Sequence, residues 1–534
     1  MLQRNCMLHR FTTLLSNVKA PPMLSFALFL CMSFYSFYFI KNRFFSLTMF
    51  FIFFIISLCC IIYNIILIKK RKKQNKMIYL LLIFSLSIFF ASIAYHRFII
   101  SNLPPITLAK TKDIEKIKVI LGSDAIPSGK KYYKANAKIL NCTYKDGSSF
   151  SCKNEIILFI PSIFIKQNYM GGVSLKRGAL GISSFSKGAI LEVEGAFSKK
   201  DKEEGMLYSK KRFFVFQNSN VEFISWESRL YAGRAHARFF INRLLYSWKE
   251  AGSFLLALTT ANKDFLSEDD VAAFRKAGLS HMLALSGMHL AIIGMLATFF
   301  ASVFLNNRSL KLFIIIASFM FLFFAGASPS LIRAFIMLSI IAIAKLLYTK
   351  VNLLGILAFS FSLHLLAFPE DAITLSFALS YLALFGILAL GIPLYNCFSS
   401  YLPNVINSSI SASLSATLVT APLIAITLKD VSFTSLLATC IVGPMVSIFL
   451  ILGLIFLSLS LALPMLHNFL GSLLNLLYKA IINTVYFFAQ WPTFKFSGSR
   501  GEYILIFLPL LVIVSVLIIK KLIEEEKNKK LIIE

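Results

Sequence analysis

Acidic side chains are scarce in this chain: 25 Asp and Glu stand against 54 Lys and Arg in 534 residues, a formal charge of +29. Charge of either sign is thin at 15%, while 57% of residues are hydrophobic and mean hydropathy is +0.75. That poverty of charge excludes an ordinary soluble domain. A G-x-x-x-x-G-K-[ST] loop is absent, so the chain is not expected to hydrolyse nucleotide itself. An H-x-H-x-D-H cluster is absent too, and the histidines at 9, 96, 236, 281, 289, 364 and 467 are too dispersed for a two-metal hydrolase. The eight cysteines form no C-x-x-C pair, which argues against a zinc ribbon or redox motif. No catalytic residue, metal or cofactor is expected, and the chain reads as a non-enzyme.

What is present is a series of apolar runs near the roughly 20 residues that a helix needs to cross a bilayer. They lie at about 23–40, 44–68, 77–99, 279–303, 310–327, 330–348, 351–367, 372–391, 409–428, 433–461, 465–490 and 502–520. The fold class is therefore a polytopic α-helical membrane protein of about 12 transmembrane helices, with a small β-barrel domain inserted outside the membrane. The first run ends in FYFIKNRFF without a small-residue cleavage site, so it reads as a retained helix. KKRKKQNK at 69–76 places that loop, and with it the amino terminus, in the cytoplasm. The expected divisions are amino-terminal helices at 1–100, the external β domain at 101–228, an interfacial amphipathic helix and connector at 229–262, a transmembrane channel domain at 263–521, and a charged cytoplasmic tail at 522–534.

The external segment has short alternating runs such as IEKIKVILG, YYKANAKILNCTY and AILEVEGAF, separated by Gly, Ser, Asn and Lys, as strands of a small barrel would. Its lysines outnumber its acids. Lys130, Lys131, Tyr132, Tyr133, Lys176 and Arg177 combine cations for phosphates with rings for bases, although a solvated or lipid-facing surface has the same composition. Cys142 and Cys152 flank an Asp146-Gly147 turn signal and form either a hairpin-closing disulfide or two thiols. Beyond the barrel, Arg234, Arg238, Trp248 and Lys249 recur at helical spacing, which predicts a helix lying in the membrane interface, as an anchor or as a collar around a pore.

The rest of the chain is organised around residues 264–303. Ser267 and Asp270 predict a helix from about Glu268 to Gly278, and a second helix is predicted from Leu279. On that second helix His281, Leu285 and His289 share a face, and Gly287 and Gly294 share a neighbouring stripe open to another helix. The histidines would lie about 12 Å apart, too far for a chelating pair; a polar contact pinning neighbouring helices is the plainer role. Ser328-Pro329-Ser330 opens a further helix with Arg333 one turn inside, where it either snorkels, pairs with Glu370 or Asp371, or meets a phosphate. Pro422 interrupts one span and Gly443-Pro444 breaks another, a device that channels and transporters use.

The run FRKAGLSHMLALSGMHL resembles the signature of the ComEC family of bacterial competence proteins, inner-membrane channels that carry one strand of transforming DNA into the cytoplasm. LLALTTANKDFLSEDD before it, and SPSLIRA, FPEDAITLSFALSYLALFGI and TAPLIAITLKDVSFTSLLATCIVGPMVS after it, continue the resemblance in order. It implies an OB-like external domain entered through KGAILEVEGAF, and a DNA path past His281, Ser286, Gly287, His289 and Arg333, with Gly443 and Pro444 lining part of it. The partners implied are single-stranded DNA, membrane lipid, a separate periplasmic DNA receptor and a separate cytoplasmic motor ATPase. Many relatives end in a metallo-β-lactamase-like domain; here the sequence stops just after its last apolar run, so strand degradation is expected of a separate nuclease. Assembly as a homo-oligomer stays open. The competing reading is a secondary transporter for a small solute or lipid precursor, whose expected internal repeat is not found.

Overall fold

The computed structural model describes residues 22–40, 76–102, 114–128, 131–151, 155–161, 185–197, 211–214 and 220–495, apart from 262, 264, 350–351, 400, 402, 429, 432–433 and 492–493. The expected spans at 44–68 and 502–520 fall outside these residues, as do Lys130, Lys176, Arg177 and Cys152. In chain order the elements are α1 (Pro22–Ile40), α2 (Lys76–Asn102), β1 (Ile114–Leu121), β2 (Ile126–Ser128), β3 (Tyr132–Tyr144), β4 (Ser149–Ser151), β5 (Glu155–Pro161), β6 (Ala189–Glu194), β7 (Ala196–Phe197), β8 (Lys211–Phe214) and β9 (Val221–Trp226). Then follow α3 (Arg229–Tyr246), α4 (Lys249–Thr260), α5 (Glu268–Lys276), α6 (Gly287–Ala301), α7 (Asn307–Ala325), α8 (Pro329–Leu346), α9 (Leu353–Ala367) and α10 (Leu375–Phe398). The last are α11 (Asn404–Leu428), β10 (Asp430–Val431), α12 (Ser435–Ala462), α13 (His467–Ala489) and β11 (Phe494–Lys495).

Among the described residues seven helices are long and apolar enough to cross a membrane, and Met23–Phe39, Gly287–Ala301 and Leu353–Ala367 form shorter apolar helices. The chain is a multi-pass membrane protein. It divides into two compact units, one of residues 1–100 and 336–388, the other of 101–335 and 389–534.

In the first unit α1 packs on α9. Arg97 of α2 donates to the last carbonyls of α9, Leu366 O at 2.6 Å and Ala367 O at 3.2 Å, a cation against the negative end of a helix. Buried His364 bridges Asp371 Oδ2 at 3.1 Å and the Tyr381 hydroxyl at 3.2 Å, and that hydroxyl lies 3.1 Å from Ser360 O. Every member of this polar cluster therefore has a partner, which a low-dielectric interior requires.

The second unit holds the sheet. β3 runs antiparallel to β1 and β2 on one edge and to β5 and β4 on the other; β6 joins β1 to β9, and β5 pairs with β8 in parallel. Only Gly195 separates β6 from β7, and β7 pairs with β8, so one continuous segment meets both β1 and β8 and the sheet curls back on itself. Side chains alternate across the strands. Ile117, Val119, Ile139, Ile156, Leu158, Leu191 and Val193 turn inward to a closed core, and Lys116 pairs with Glu194 on the outer face at 2.6 Å. The same alternation separates the candidate nucleic-acid residues: Lys131 and Tyr132 are exposed, whereas Tyr133 is in the core and offers no ring to a base. Cys142 is also buried there.

The helical part of this unit is built around α4. Its residues 251–260 are all buried, packed against α12 and α13. At 12 residues it rises only about 18 Å, too short to cross a bilayer by itself. It reaches its neighbours because they carry glycine. A Cβ at Gly453 of α12 would stand 2.8 Å from the Leu255 side chain, and one at Gly471 of α13 would stand 2.5 Å from the Trp248 ring. Trp248 donates its indole N–H to His467 O at 3.0 Å, and Asn475 holds Ala251 N at 3.0 Å and Trp248 O at 2.9 Å. Amphipathic α5 is capped by Ser267, whose hydroxyl accepts from Asp270 N, while the Asp270 carboxylate accepts from the Tyr478 and Tyr486 hydroxyls of α13 at 2.6 and 2.9 Å.

Trp248 and Arg234 are buried, while α3 exposes Leu230, Phe240 and Tyr246. One expectation is corrected here. Gly443-Pro444 does not break its helix, because α12 runs through both residues without interruption; proline removes one helix hydrogen bond, and a packed membrane helix survives that loss.

The packing around α4 yields a paired test. Gly471→Ala forces a methyl into the Trp248 ring and is expected to destabilise by about 1–3 kcal/mol, the usual cost of overpacking. Gly294→Ala, whose added methyl would meet its nearest atom at 3.6 Å, is expected to leave thermal unfolding in detergent unchanged or slightly raised. Equal melting of the two variants contradicts the packing.

Candidate functional site

The stretch between α5 and α6 is a loop rather than the start of a helix, which corrects the expectation that one begins at Leu279. Gly278 takes a left-handed φ of +75°, and Leu279 N bonds back to Phe274 O at 2.8 Å, the closure that stops a helix. Leu279, Met282, Leu283 and Leu285 are then buried as loop residues, so their helix-like spacing reflects packing and not periodicity. Helix resumes only at Gly287. His281 and His289 consequently share no helix: His281 is exposed in a turn and His289 is 1% exposed in the first turn of α6.

The start of α6 is fixed by Ser286 and His289. The Ser286 backbone N–H donates to His289 Nδ1 at 3.0 Å, and the Ser286 hydroxyl lies 2.9 Å from the same nitrogen. With the Ser286 side chain also accepting from the His289 backbone N–H, this is the reciprocal arrangement usually completed by Glu or Gln at the third helical position. Gly287 allows α8 to come close. An added Cβ would stand 3.2 Å from the Ala334 methyl and 3.4 Å from an Arg333 guanidinium nitrogen. Gly294, by contrast, faces Ile314 of α7, so the two glycines serve different neighbours. Ser328 caps α8 by accepting from Leu331 N at 3.4 Å, and Leu285, Leu290, Phe321, Ala325 and Leu331 cluster beneath the two helix starts. From the other side Gly443 of α12 faces Met282, and the Ser447 hydroxyl stands 3.4 Å from the Met288 sulfur. The structure thus brings Ser286, Gly287, His289 and Arg333 together, with Gly443 against the same loop.

The turn that launches α8 is held by charges that sequence reading missed. Arg234 Nε donates to Phe323 O at 2.6 Å, and Arg238 donates to Phe324 O and Ala325 O at 3.2 and 3.3 Å, so two guanidiniums cap the end of α7. Asp124, in the loop between β1 and β2, joins them: Oδ1 and Oδ2 accept from Arg234 at 2.7 Å each, and Oδ2 accepts from Arg238 at 2.8 Å. Burial alone would raise the Asp124 carboxyl. The Arg234 hydrogen bonds, the charges of Arg238 and Arg234 and the Lys187 N–H outweigh it and hold that carboxyl well below the usual carboxylate range. The available signal was two arginines four apart at the start of a helix; their partner lies more than a hundred residues upstream. Asp371, which the sequence offered as a partner for Arg333, is engaged by His364.

Residues 258–522, about half of the chain, match the family model described as Competence protein. The chain belongs to the ComEC-type competence protein family. ComE operon protein 3 of Bacillus subtilis (strain 168) is 28% identical over 154 residues, 28% of this chain and 20% of that protein. The match to that curated relative therefore spans about a fifth of the relative's length. No solved structure matches the chain. The competence match takes in the 278–286 loop, the start of α6, Arg333 and Gly443, and begins after the curled sheet.

Asp124→Asn removes one partner of a buried charge cluster and is expected to cost about 3 kcal/mol or more. Because the folded carboxyl is depressed, its contribution is fully present above the ordinary aspartate value of about 4 and fades as pH falls through the lower folded value. Melting of the detergent-solubilised protein should separate wild type from Asp124→Asn at pH 7 and bring them together in strong acid. A gap independent of pH contradicts the assignment.

Proposed function

We propose that this competence-family protein is an inner-membrane channel that passes single-stranded DNA into the cytoplasm during natural competence. The observation that carries the reading is the convergence of two helix starts, those of α6 and α8, on Arg333 and the 278–286 loop. Helix amino-termini carry partial positive charge and unspent N–H groups, so their meeting beside a guanidinium favours a passing polyanion. Conduction needs such contacts to be weak and repeated, since a site that held DNA tightly would block it.

The curled sheet is the extracytoplasmic receiver in this reading. Its central five-part pairing, β1 with β3, β3 with β5, β5 parallel with β8, β8 with β7, and β6 back to β1, supports an OB-like barrel. Exposed Lys131 and Tyr132 are its described candidates for phosphate and base contact. The chain acts by conduction and not by catalysis, so pulling force and strand degradation come from separate proteins, and a separate receptor delivers the DNA.

The test is entry of fluorescently labelled DNA into cells whose DNA-capture apparatus is intact. Deletion of the protein should strand DNA outside the cytoplasm, and Arg333→Gln should slow its entry about tenfold, as expected for one charge-assisted phosphate contact. Normal entry after deletion, with no second channel present, refutes the reading.

A further inference from the structure

His289 is spent on one side only. A backbone amide can only donate, so the bond from Ser286 N at 3.0 Å makes Nδ1 the lone-pair nitrogen and puts the proton of the neutral ring on Nε2. That Nε2 is buried and has no hydrogen-bond partner, in a residue that is 1% exposed. A buried N–H without an acceptor is costly, and native structures keep few of them. Because the ring folds back to reach the cap residue, this donor stays at the amino-terminal end of α6. The same helix start carries the first-turn amides of α6 and Gly287, whose added Cβ would stand 3.4 Å from an Arg333 guanidinium nitrogen.

We propose that Ser286, Gly287, His289 and Arg333 form an oxyanion site for a phosphate diester, in which His289 Nε2–H is the buried donor. The inference rests on the channel reading for its preferred ligand, the DNA backbone. A diester suits the site because it carries one negative charge over two non-bridging oxygens, one for the helix amides and one for the side-chain donors. A phospholipid headgroup has the same chemistry. Neutral His289 supplies direction without charge, which holds a phosphate in register without trapping it. Gly287 is needed because a side chain there would occupy the approach of Arg333.

The test uses the full chain in detergent with two probes, fluorescein-labelled oligothymidylate read by anisotropy and phosphatidylglycerol retention read by native mass spectrometry. His289→Gln keeps both the cap and an N–H donor and should bind oligothymidylate within about threefold of wild type. His289→Glu keeps the cap as a usual capping-box residue but aims a negative charge at the ligand, and should lose about tenfold or more. Ser286→Asp, a good cap residue at a half-buried position, should lose as much while melting like wild type, which guards against misfolding of the glutamate variant. Charge-dependent loss of oligothymidylate supports the site and its DNA ligand. Charge-dependent loss of phosphatidylglycerol alone supports the oxyanion site but removes DNA from it, so the channel reading fails there separately. Wild-type binding of both probes by His289→Glu and Ser286→Asp, or equal losses in His289→Gln and His289→Glu, overturns the proposal.

Discussion

The bidentate grip of Arg234 on Asp124 is the constraint on which the rest of this unit depends. It is a largely buried ion pair, expensive to desolvate, and further hydrogen bonds support it: Arg234 Nε and Arg238 Nη1 also donate to carbonyls at the end of α7. One cluster therefore ties the sheet, α3 and α7 together. Gly326, which ends α7 with a positive φ, is the hinge of that joint, and α8 starts three residues later with Arg333 one turn in. The turn before Arg333 is thus joined, through Arg234 and Arg238, to the loop between β1 and β2 that carries Asp124.

The second constraint is apolar. Membrane helices gain little from leaving lipid, so close packing must hold them, and small residues make close packing possible. Around α4 this is carried to an extreme, with Gly453 and Gly471 admitting Leu255 and Trp248 where no side chain would fit. The result is a closely packed floor under α5 and the 278–286 loop. Such a floor suits a site whose work is to present a few donors at fixed positions.

Much of this was legible from local chemistry. The caps at Ser267 and Ser328 and the lengths of the apolar runs within the described residues came from short-range rules that the fold keeps. The family resemblance, carried by motifs in order, is borne out by the competence match. What failed was non-local. LSHMLAL reads as helix by spacing, yet its leucines are buried one by one in a loop stopped by Gly278 and restarted by Ser286. The grip of Arg234 and Arg238 on Asp124 had no local sign, because that carboxylate lies more than a hundred residues upstream. His364, Asp371 and Tyr381 were separate residues until the turn after α9 brought them into one hydrogen-bonded chain. Nor could spacing separate Tyr132 from Tyr133 before the register of β3 was known.

The central claim is that DNA passes the junction of α6, α8 and the 278–286 loop. It is tested most directly by placing a photo-crosslinking residue at exposed Met288, beside that junction, and another at exposed Phe319 on α7, then illuminating cells during uptake of labelled DNA. Covalent DNA at position 288 and none at 319 is the expected result. DNA that reaches the cytoplasm without a crosslink at 288, or that marks both positions equally, would contradict it.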